Sequence, residues 1–211
     1  MVATHKKTIV SSIKKETIAY KILNSLYLNI TNRCSNSCIF CPKFKEYKLY
    51  GNDLFLKSEP SFEDVMEAIG EPTGIDEIVF CGFGESLLRL DLLVRIAKEL
   101  KRRYSYRIRI NTDGQANLVY GRNIIPDLVG LVDCISVSLN APDASTYNRL
   151  CNTPFGEDGF RAVCDFIRDA KKQIPCVIAS VVNVPGVNVK ACRRLVESLG
   201  ASFRVRDFTP E

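Results

Sequence analysis

The 211-residue sequence has a single histidine, His5, and no apolar run near the length of a membrane span. Such a span needs about 20 consecutive apolar residues, so no membrane-crossing helix is expected. The first residues, MVATHKKTIVSSIKKE, hold two lysine pairs but no long apolar core ahead of a small-residue cleavage site. That pattern is not a signal peptide, and a cytoplasmic protein is expected. No low-complexity segment and no short repeat interrupts the chain. The basic stretch KELKRR (98–103) has no aromatic-rich RNA-binding signature beside it. It falls late in a helical pattern, where cations complement the helix dipole. It therefore reads as a solvated helix end rather than a nucleic-acid patch.

Cysteine, by contrast, is plentiful: there are nine. In a cytoplasmic chain they argue against a disulfide framework. Six of them, Cys81, Cys134, Cys151, Cys164, Cys176 and Cys192, are scattered and form no second C-x2-C pair. Each reads as a small buried apolar residue. The other three crowd into ITNRCSNSCIFCPKF (30–44). The remaining composition, 46% hydrophobic and 25% charged, is that of a soluble globular domain long enough to bury a core. The net charge of +5 permits an anionic substrate without requiring one.

Strand and helix signals alternate along the chain. Strands are predicted at LYLNIT (26–31), EIVFCG (77–82), YRIRINT (106–112), CISVSLN (134–140), VIASVVN (177–183) and FRVRDF (203–208). Between them, SFEDVMEAIG (61–70) reads as a helix, with Ser61 as N-cap, acids in the first turn and Gly70 at its end. Further helices are predicted over LDLLVRIAKELKRR, IIPDLVGLV, DASTYNRLC, GFRAVCDFIRDAKKQI and NVKACRRLVESLG. Strands alternating with helices make parallel βαβ units with right-handed crossovers. Six such strands suit either an open doubly wound sheet or a partial TIM-like (β/α)6 barrel.

Strand periodicity bears on that choice. Tyr27, Asn29 and Thr31 share one face; so do Arg107, Arg109 and Asn111, and Ser136, Ser138 and Asn140. A doubly wound sheet is covered on both faces and should be apolar throughout. A polar face suits a curved, open barrel with helices outside and a ligand-holding lumen inside. The alternative is that these polar residues simply pair with one another.

Cys34, Cys38 and Cys41 follow directly on the first strand, with the spacing C-x3-C-x2-C. In parallel α/β folds, ligands bind at the carboxyl ends of strands. Structural zinc takes four ligands, often as two separated pairs, and no partner pair is present. Iron–sulfur cubanes are held by cysteine thiolates, normally four, so three would leave one iron open to a ligand. A non-catalytic metal protein, with a structural or electron-transfer role, is the rival reading.

This spacing after the first strand, with an aromatic residue (Phe40) before the third cysteine, resembles the hallmark of radical S-adenosylmethionine enzymes. The resemblance implies a [4Fe-4S] cluster on Cys34, Cys38 and Cys41. Its open iron chelates S-adenosylmethionine, and reductive cleavage yields a 5′-deoxyadenosyl radical that abstracts hydrogen from a substrate. It also implies an external reductant, such as flavodoxin or ferredoxin.

Further stretches carry the same resemblance. CGFGESLLRLD (81–91) is similar to the family's Gly-Gly-Glu element: Gly82, Gly84 and Glu85 match, while Ser86 stands where many members have proline. Glycines there would let the backbone approach a ligand closely. INTDG (110–114), with Asn111, resembles the Asn-Thr-Asn-Gly turn. SVSLNAPD (136–143) resembles the fourth-strand element, which puts Ser136, Ser138 and Asn140 at the ribose or methionine carboxylate. VVNVPGVN (181–188) lies where the family wraps the adenine, with Asn183 as the candidate contact. Arg204 or Arg206 is expected either to pair with a carboxylate of cofactor or substrate or to form a structural ion pair with Asp207 or Glu85.

From about Tyr20 to Phe208 the chain most resembles the radical S-adenosylmethionine proteins linked with TatD-type hydrolases. The resemblance names no substrate. Residues 1–19 are expected to be an N-terminal extension and 20–211 a single core domain. The open barrel leaves a side for substrate, another chain or a loop to close. The long connection KFKEYKLYGNDLFLKSEP (43–60) is a candidate for that role. Its Lys43, Lys45 and Lys48 suggest an anionic or macromolecular substrate.

Overall fold

The computed structural model describes residues 17–208, so His5 and nearly all of the expected extension lie outside the described residues. In chain order the strands are β1 (Ala19–Ile22), β2 (Ser25–Leu28), β3 (Lys48–Leu49), β4 (Asn52–Asp53), β5 (Glu77–Phe80), β6 (Arg107–Thr112), β7 (Cys134–Ser138), β8 (Cys176–Asn183) and β9 (Ser202–Asp207). The α-helices are α1 (Phe62–Ile69), α2 (Leu90–Arg103), α3 (Ala116–Tyr120), α4 (Ile125–Leu128), α5 (Ala144–Cys151), α6 (Glu157–Gln173) and α7 (Val189–Ser198).

Seven strands form one sheet in the order β1-β2-β5-β6-β7-β8-β9. All neighbours from β2 to β9 run parallel, and only β1 pairs antiparallel. The six parallel strands are those expected, and their spatial order follows the chain without reversal. A doubly wound sheet reverses its order at a switch point. A sheet that never reverses sends every right-handed crossover to the same side, so the helices cover one face only. This is an open, partial TIM-like barrel, with β1 and β9 at its two edges among the described residues.

The helix-covered face carries the apolar residues: Leu28, Ile78, Phe80, Ile108, Ile110, Ile135, Val137, Val177 and Ala179 are all buried. They pack against Val65 and Ile69 of α1, Leu93, Ile96 and Leu100 of α2, and Val163, Phe166 and Ile167 of α6. Each helix presents its apolar stripe at the 3.6-residue period to that layer. α1 starts as expected: Ser61 Oγ accepts from the Asp64 N–H at 3.1 Å and Asp64 Oδ2 accepts from the Ser61 N–H at 2.8 Å. This reciprocal cap satisfies two N–H groups that the helix itself leaves unpaired. At the end of α2, Glu99 pairs with Arg102 and Arg103, and Lys101 with Asp133. The basic cluster is thus an ion-paired helix end.

Four local features depart from expectation, one of them α3, a five-residue helix that the sequence does not announce. β1 is an added strand, joined to β2 by the two-residue turn Leu23–Asn24, with Leu23 at φ +51°. Leucine rarely adopts that backbone conformation, so the sequence carries no turn signal there. The helix expected over IIPDLVGLV shrinks to Ile125–Leu128, because Val129 turns extended and Gly130 takes φ +75°. The connection at 43–60 holds the small hairpin β3–β4 rather than bare loop.

Candidate active site

The cysteine loop begins where β2 leaves the sheet. It is fastened on three sides. From below, the Asn29 amide donates to the Leu54 carbonyl at 2.9 Å and the Asn32 amide to the Leu56 carbonyl at 2.6 Å, which ties segment 54–60 to the loop. Glu59 then accepts from Thr31 Oγ1 at 2.6 Å and pairs with Arg33 at 2.7 Å. From the second βα loop, the Glu85 N–H donates to the Arg33 carbonyl at 2.7 Å. From α5, the carbonyls of Cys151 and Leu150 accept from the N–H groups of Ser37 at 3.1 Å and Ile39 at 2.9 Å.

Gly82 and Gly84 explain why the second loop lies so close. A Cβ on Gly84 would collide with the Thr31 and Arg33 carbonyl oxygens, and one on Gly82 with Asn29 Oδ1. What their missing side chains admit is therefore the cysteine loop itself. Glu85, next along, is buried; its carboxylate accepts from the Leu87 N–H at 2.9 Å and the Asp113 N–H at 2.6 Å. It clasps the ends of β5 and β6 together. Asp113, also buried, accepts from the Gln115 N–H at 3.0 Å and from the Ser35 hydroxyl of the cysteine loop. Burial raises both carboxyls above the usual range, and for Glu85 the neighbouring Asp113 adds to the rise. Beneath the loop, the Tyr147 hydroxyl accepts from Gln115 at 2.7 Å and from Asn36 at 3.0 Å, and the buried Asn36 Oδ1 has no partner among the described residues.

The three thiols are free and partly exposed. Burial, with Asp113 and Glu85 nearby, pushes the Cys34 thiol up. A hydrogen bond with Cys151, then burial, does the same for Cys38. Burial raises Cys41 against the opposing pull of the Lys43 cation. A metal that binds thiolates would displace protons from them as it binds. Cys34 lies near the two acids and Cys38 near Cys151. Among the described residues, no group of three or more Cys, His, Asp or Glu side chains is already gathered around one point for a metal ion. As a donor set, three thiols on one loop at the carboxyl end of a parallel sheet fit an iron–sulfur cubane with one open iron. Phe40 packs against the core behind them, half-buried.

The lumen face runs in layers set by the parallel register. Asn111, Ser136 and Ile178 align, as do Ser138, Ser180 and Arg204. At the lumen floor, Arg109 pairs with Glu77 at 2.7 Å and donates to Asn111 Oδ1 at 2.8 Å. Beside Arg109, Cys134 and Cys176 face each other across β7 and β8, with sulfurs 2.8 Å apart. Near the mouth, Arg206 donates to Ser138 Oγ at 3.2 Å and Asn140 Oδ1 at 3.5 Å. Neither Arg204 nor Arg206 has an acidic partner among the described residues, so the ion pair with Asp207 or Glu85 does not form. Asn140 takes φ +56°, and Ser136 and Asn140 are buried. Asn183 is exposed at the end of β8, in register with Asp207.

The structure thus brings Cys34, Cys38, Cys41, Gly82, Gly84, Glu85, Ser138 and Asn140 to one end of the sheet. Asn111 and Ser136 line the lumen one layer deeper. Among the lysines of the 43–60 segment, Lys48 is paired with Glu46 and Lys43 lies over the Phe44 ring at 5.2 Å. Clefts of about 180 and 400 Å³ lie on the outer helical layer, one lined by Asp91, Lys98, Arg122 and Asp127 and the other by Arg122, Asp158, Arg161 and Asp165, away from the thiols. Two contributors escaped the sequence reading. Asp113 was visible only as part of a turn, and Cys151 lies 113 positions from Cys38, with no spacing to link them.

No helix among the described residues is long and apolar enough to cross a membrane. No curated protein sequence matches the chain. Solved structures do match in fold. A radical SAM methyltransferase from Sphaerobacter thermophilus aligns at 17% identity with TM-score 0.56, over 90% of this chain and 68% of its own. The protein anSMEcpe with bound AdoMet and a Cp18Cys peptide aligns at 13% with TM-score 0.59, over 86% of this chain and 50% of its own. The methyltransferase TsrM from Kitasatospora setae, with cobalamin and a [4Fe-4S] cluster bound, aligns at 13% with TM-score 0.55, over 87% of this chain and 36% of its own. At these identities the likeness is one of fold, and the chain spans half or less of the last two. In sequence, the Radical SAM superfamily model matches residues 28–199, from the last residue of β2 through α7. With most of its length so matched, the chain belongs to the Radical SAM superfamily.

Proposed function

We propose that this chain is the catalytic core of a radical S-adenosylmethionine enzyme, with Cys34, Cys38 and Cys41 as the ligands of a [4Fe-4S] cluster. The observation that carries this reading is the cysteine loop, set at the carboxyl end of a singly wound parallel sheet and braced from three sides. Loaded with its cofactors, such a site supplies a 5′-deoxyadenosyl radical by reductive cleavage of S-adenosylmethionine.

The chain's own residues then have distinct tasks. Glu85 and the two glycines fix the second loop against the cysteine loop, which leaves backbone groups there to meet the ammonium of the methionine moiety. Ser136, Ser138 and Asn140 offer hydroxyls and an amide to ribose or carboxylate oxygens. Phe40 seats the third cysteine, and Asn183 stands at the rim for the adenine. Arg206, with no acidic partner among the described residues, suits a carboxylate of the cofactor or an anionic substrate. Lys48, already paired with Glu46, contributes less to an anionic mouth than its position in the sequence suggests.

The sequence stretches around the cysteines and SVSLNAPDASTYNRLC support placement among the TatD-linked members, with residues 20–211 as one core domain. That placement fits a cytoplasmic setting, with flavodoxin or ferredoxin as electron donor and a functional link to a TatD-type hydrolase. The open side of the sheet suits a large substrate or a second chain.

Anaerobic reconstitution with iron and sulfide tests the cluster assignment. The wild-type chain should take up about four irons. Cys38→Ala should lose most of that uptake while keeping its far-ultraviolet circular dichroism, because Cys38 lies at the sheet's end and not in its core. Stoichiometric zinc in place of iron, or full uptake by Cys38→Ala, would overturn the assignment.

A further inference from the structure

A fourth thiol lies against the cysteine loop. α5 ends on Cys151, whose side chain is fully buried. The last turn of α5 is bonded to the loop on either side of Cys38: Ser37 donates to the Cys151 carbonyl at 3.1 Å and Ile39 to the Leu150 carbonyl at 2.9 Å. Those two bonds bracket Cys38 and set its thiol beside that of Cys151.

Behind Cys151 stands an ordered donor. Asn140, held in the left-handed backbone conformation, points its amide Nδ2 at the Cys151 sulfur, 3.9 Å away. Its Oδ1 accepts from the Val182 N–H at 3.3 Å and from Arg206 at 3.5 Å, which fixes the orientation of the amide. The Cys151 sulfur therefore receives one hydrogen bond from Asn140 and keeps its own S–H to give. Once Cys38 is a metal ligand it is a thiolate, with no proton to donate and lone pairs to accept. Hydrogen bonds to cluster sulfurs favour the more negative, reduced state and so raise the reduction potential.

We propose that Cys151 is a positioning residue for the cluster: its S–H donates to the Cys38 thiolate and raises the reduction potential, in an orientation set by Asn140 and Arg206. The proposal rests on the assignment of Cys38 as a cluster ligand. A buried thiol that merely fills space would have no effect on the potential, and one that ligated iron would be needed for loading.

The test is a potentiometric titration of the reconstituted full chain, followed by electron paramagnetic resonance, for wild type, Cys151→Ala and Cys151→Ser. Iron content and circular dichroism are measured on each. All three should bind equal iron. Cys151→Ala should titrate at a more negative potential than wild type, and Cys151→Ser, with a stronger O–H donor, at or above the wild-type value. An unchanged potential in Cys151→Ala, or a fall of the serine variant below wild type, would overturn the proposal. Loss of iron from both variants would make Cys151 a ligand and overturn it as well. Should the alanine variant not fold, Cys151→Val takes its place, with the same fall in potential expected and an unchanged potential overturning the proposal. A wild-type chain that takes up no cluster refutes the ligand assignment itself, an outcome distinct from the others.

Discussion

Glu85 has two roles that one substitution can separate. Its carboxylate is buried and accepts two backbone N–H groups from different loops, Leu87 and Asp113. Removing a partner from a buried N–H costs about 1 to 3 kcal/mol. Glu85→Ala is therefore expected to lower the stability of the unloaded chain by about 2 kcal/mol or more, measured by urea unfolding. A variant as stable as wild type would mean that Glu85 serves only the ligand. The sequence marked this residue through its glycine neighbours, but for a different reason. The glycines were expected to make room for a ligand, whereas the structure uses them to seat one loop on another. A contact between two loops 50 residues apart has no local signature, so the motif was legible and its packing was not. Cys151 shows the same limit, since only the return of α5 to the cysteine loop reveals its neighbour.

Among the elements, the parallel strands support the site through their polar face. Arg109 of β6 and Glu77 of β5 are mostly buried and hydrogen-bonded at 2.7 Å. Burial alone would raise the Glu77 carboxyl, but the hydrogen bonds and charge of Arg109 outweigh it and hold it below its ordinary value. An acid depressed in this way stabilises the fold above its unfolded pKa and loses that contribution as pH falls through the folded value. Arg109→Met removes the buried partner and leaves the carboxylate with the Ser25 hydroxyl at 3.0 Å as its remaining hydrogen bond. The expected cost at pH 7 is about 3 kcal/mol, and the sign of the pH dependence should invert. The variant should regain stability on acidification toward pH 5, as Glu77 takes up a proton, while wild type should not. Urea unfolding at the two pH values measures this, and parallel behaviour of the two proteins would contradict it.

The six parallel strands, their order and most helices were legible because each carries its own period and caps. Ser61 with Asp64 is the plainest case. β1 and α3 were not legible. One turns on a leucine at positive φ, and the other is five residues long, too short to show a period. The polar strand faces were legible as a pattern. That Arg109 would be paired and Arg206 would not depends on which strand lies at the edge.

The whole molecule is a sheet wound in one direction and left unclosed, with helices on one face and a polar lumen on the other. The thiols lie at the carboxyl ends of its strands. β9, the edge strand, carries Arg204 and Arg206 on the lumen side with no acidic partner among the described residues. On the proposed function, the cofactor lies near the cysteine loop and a substrate enters on the side toward β9. On that function, the three-thiol loop activates S-adenosylmethionine. The most direct test is chromatographic detection of 5′-deoxyadenosine after the reconstituted chain is mixed anaerobically with S-adenosylmethionine and a strong reductant. The wild-type chain should form 5′-deoxyadenosine and Cys38→Ala none. A wild-type chain that holds its cluster, is fully reduced and still forms no 5′-deoxyadenosine would contradict that function.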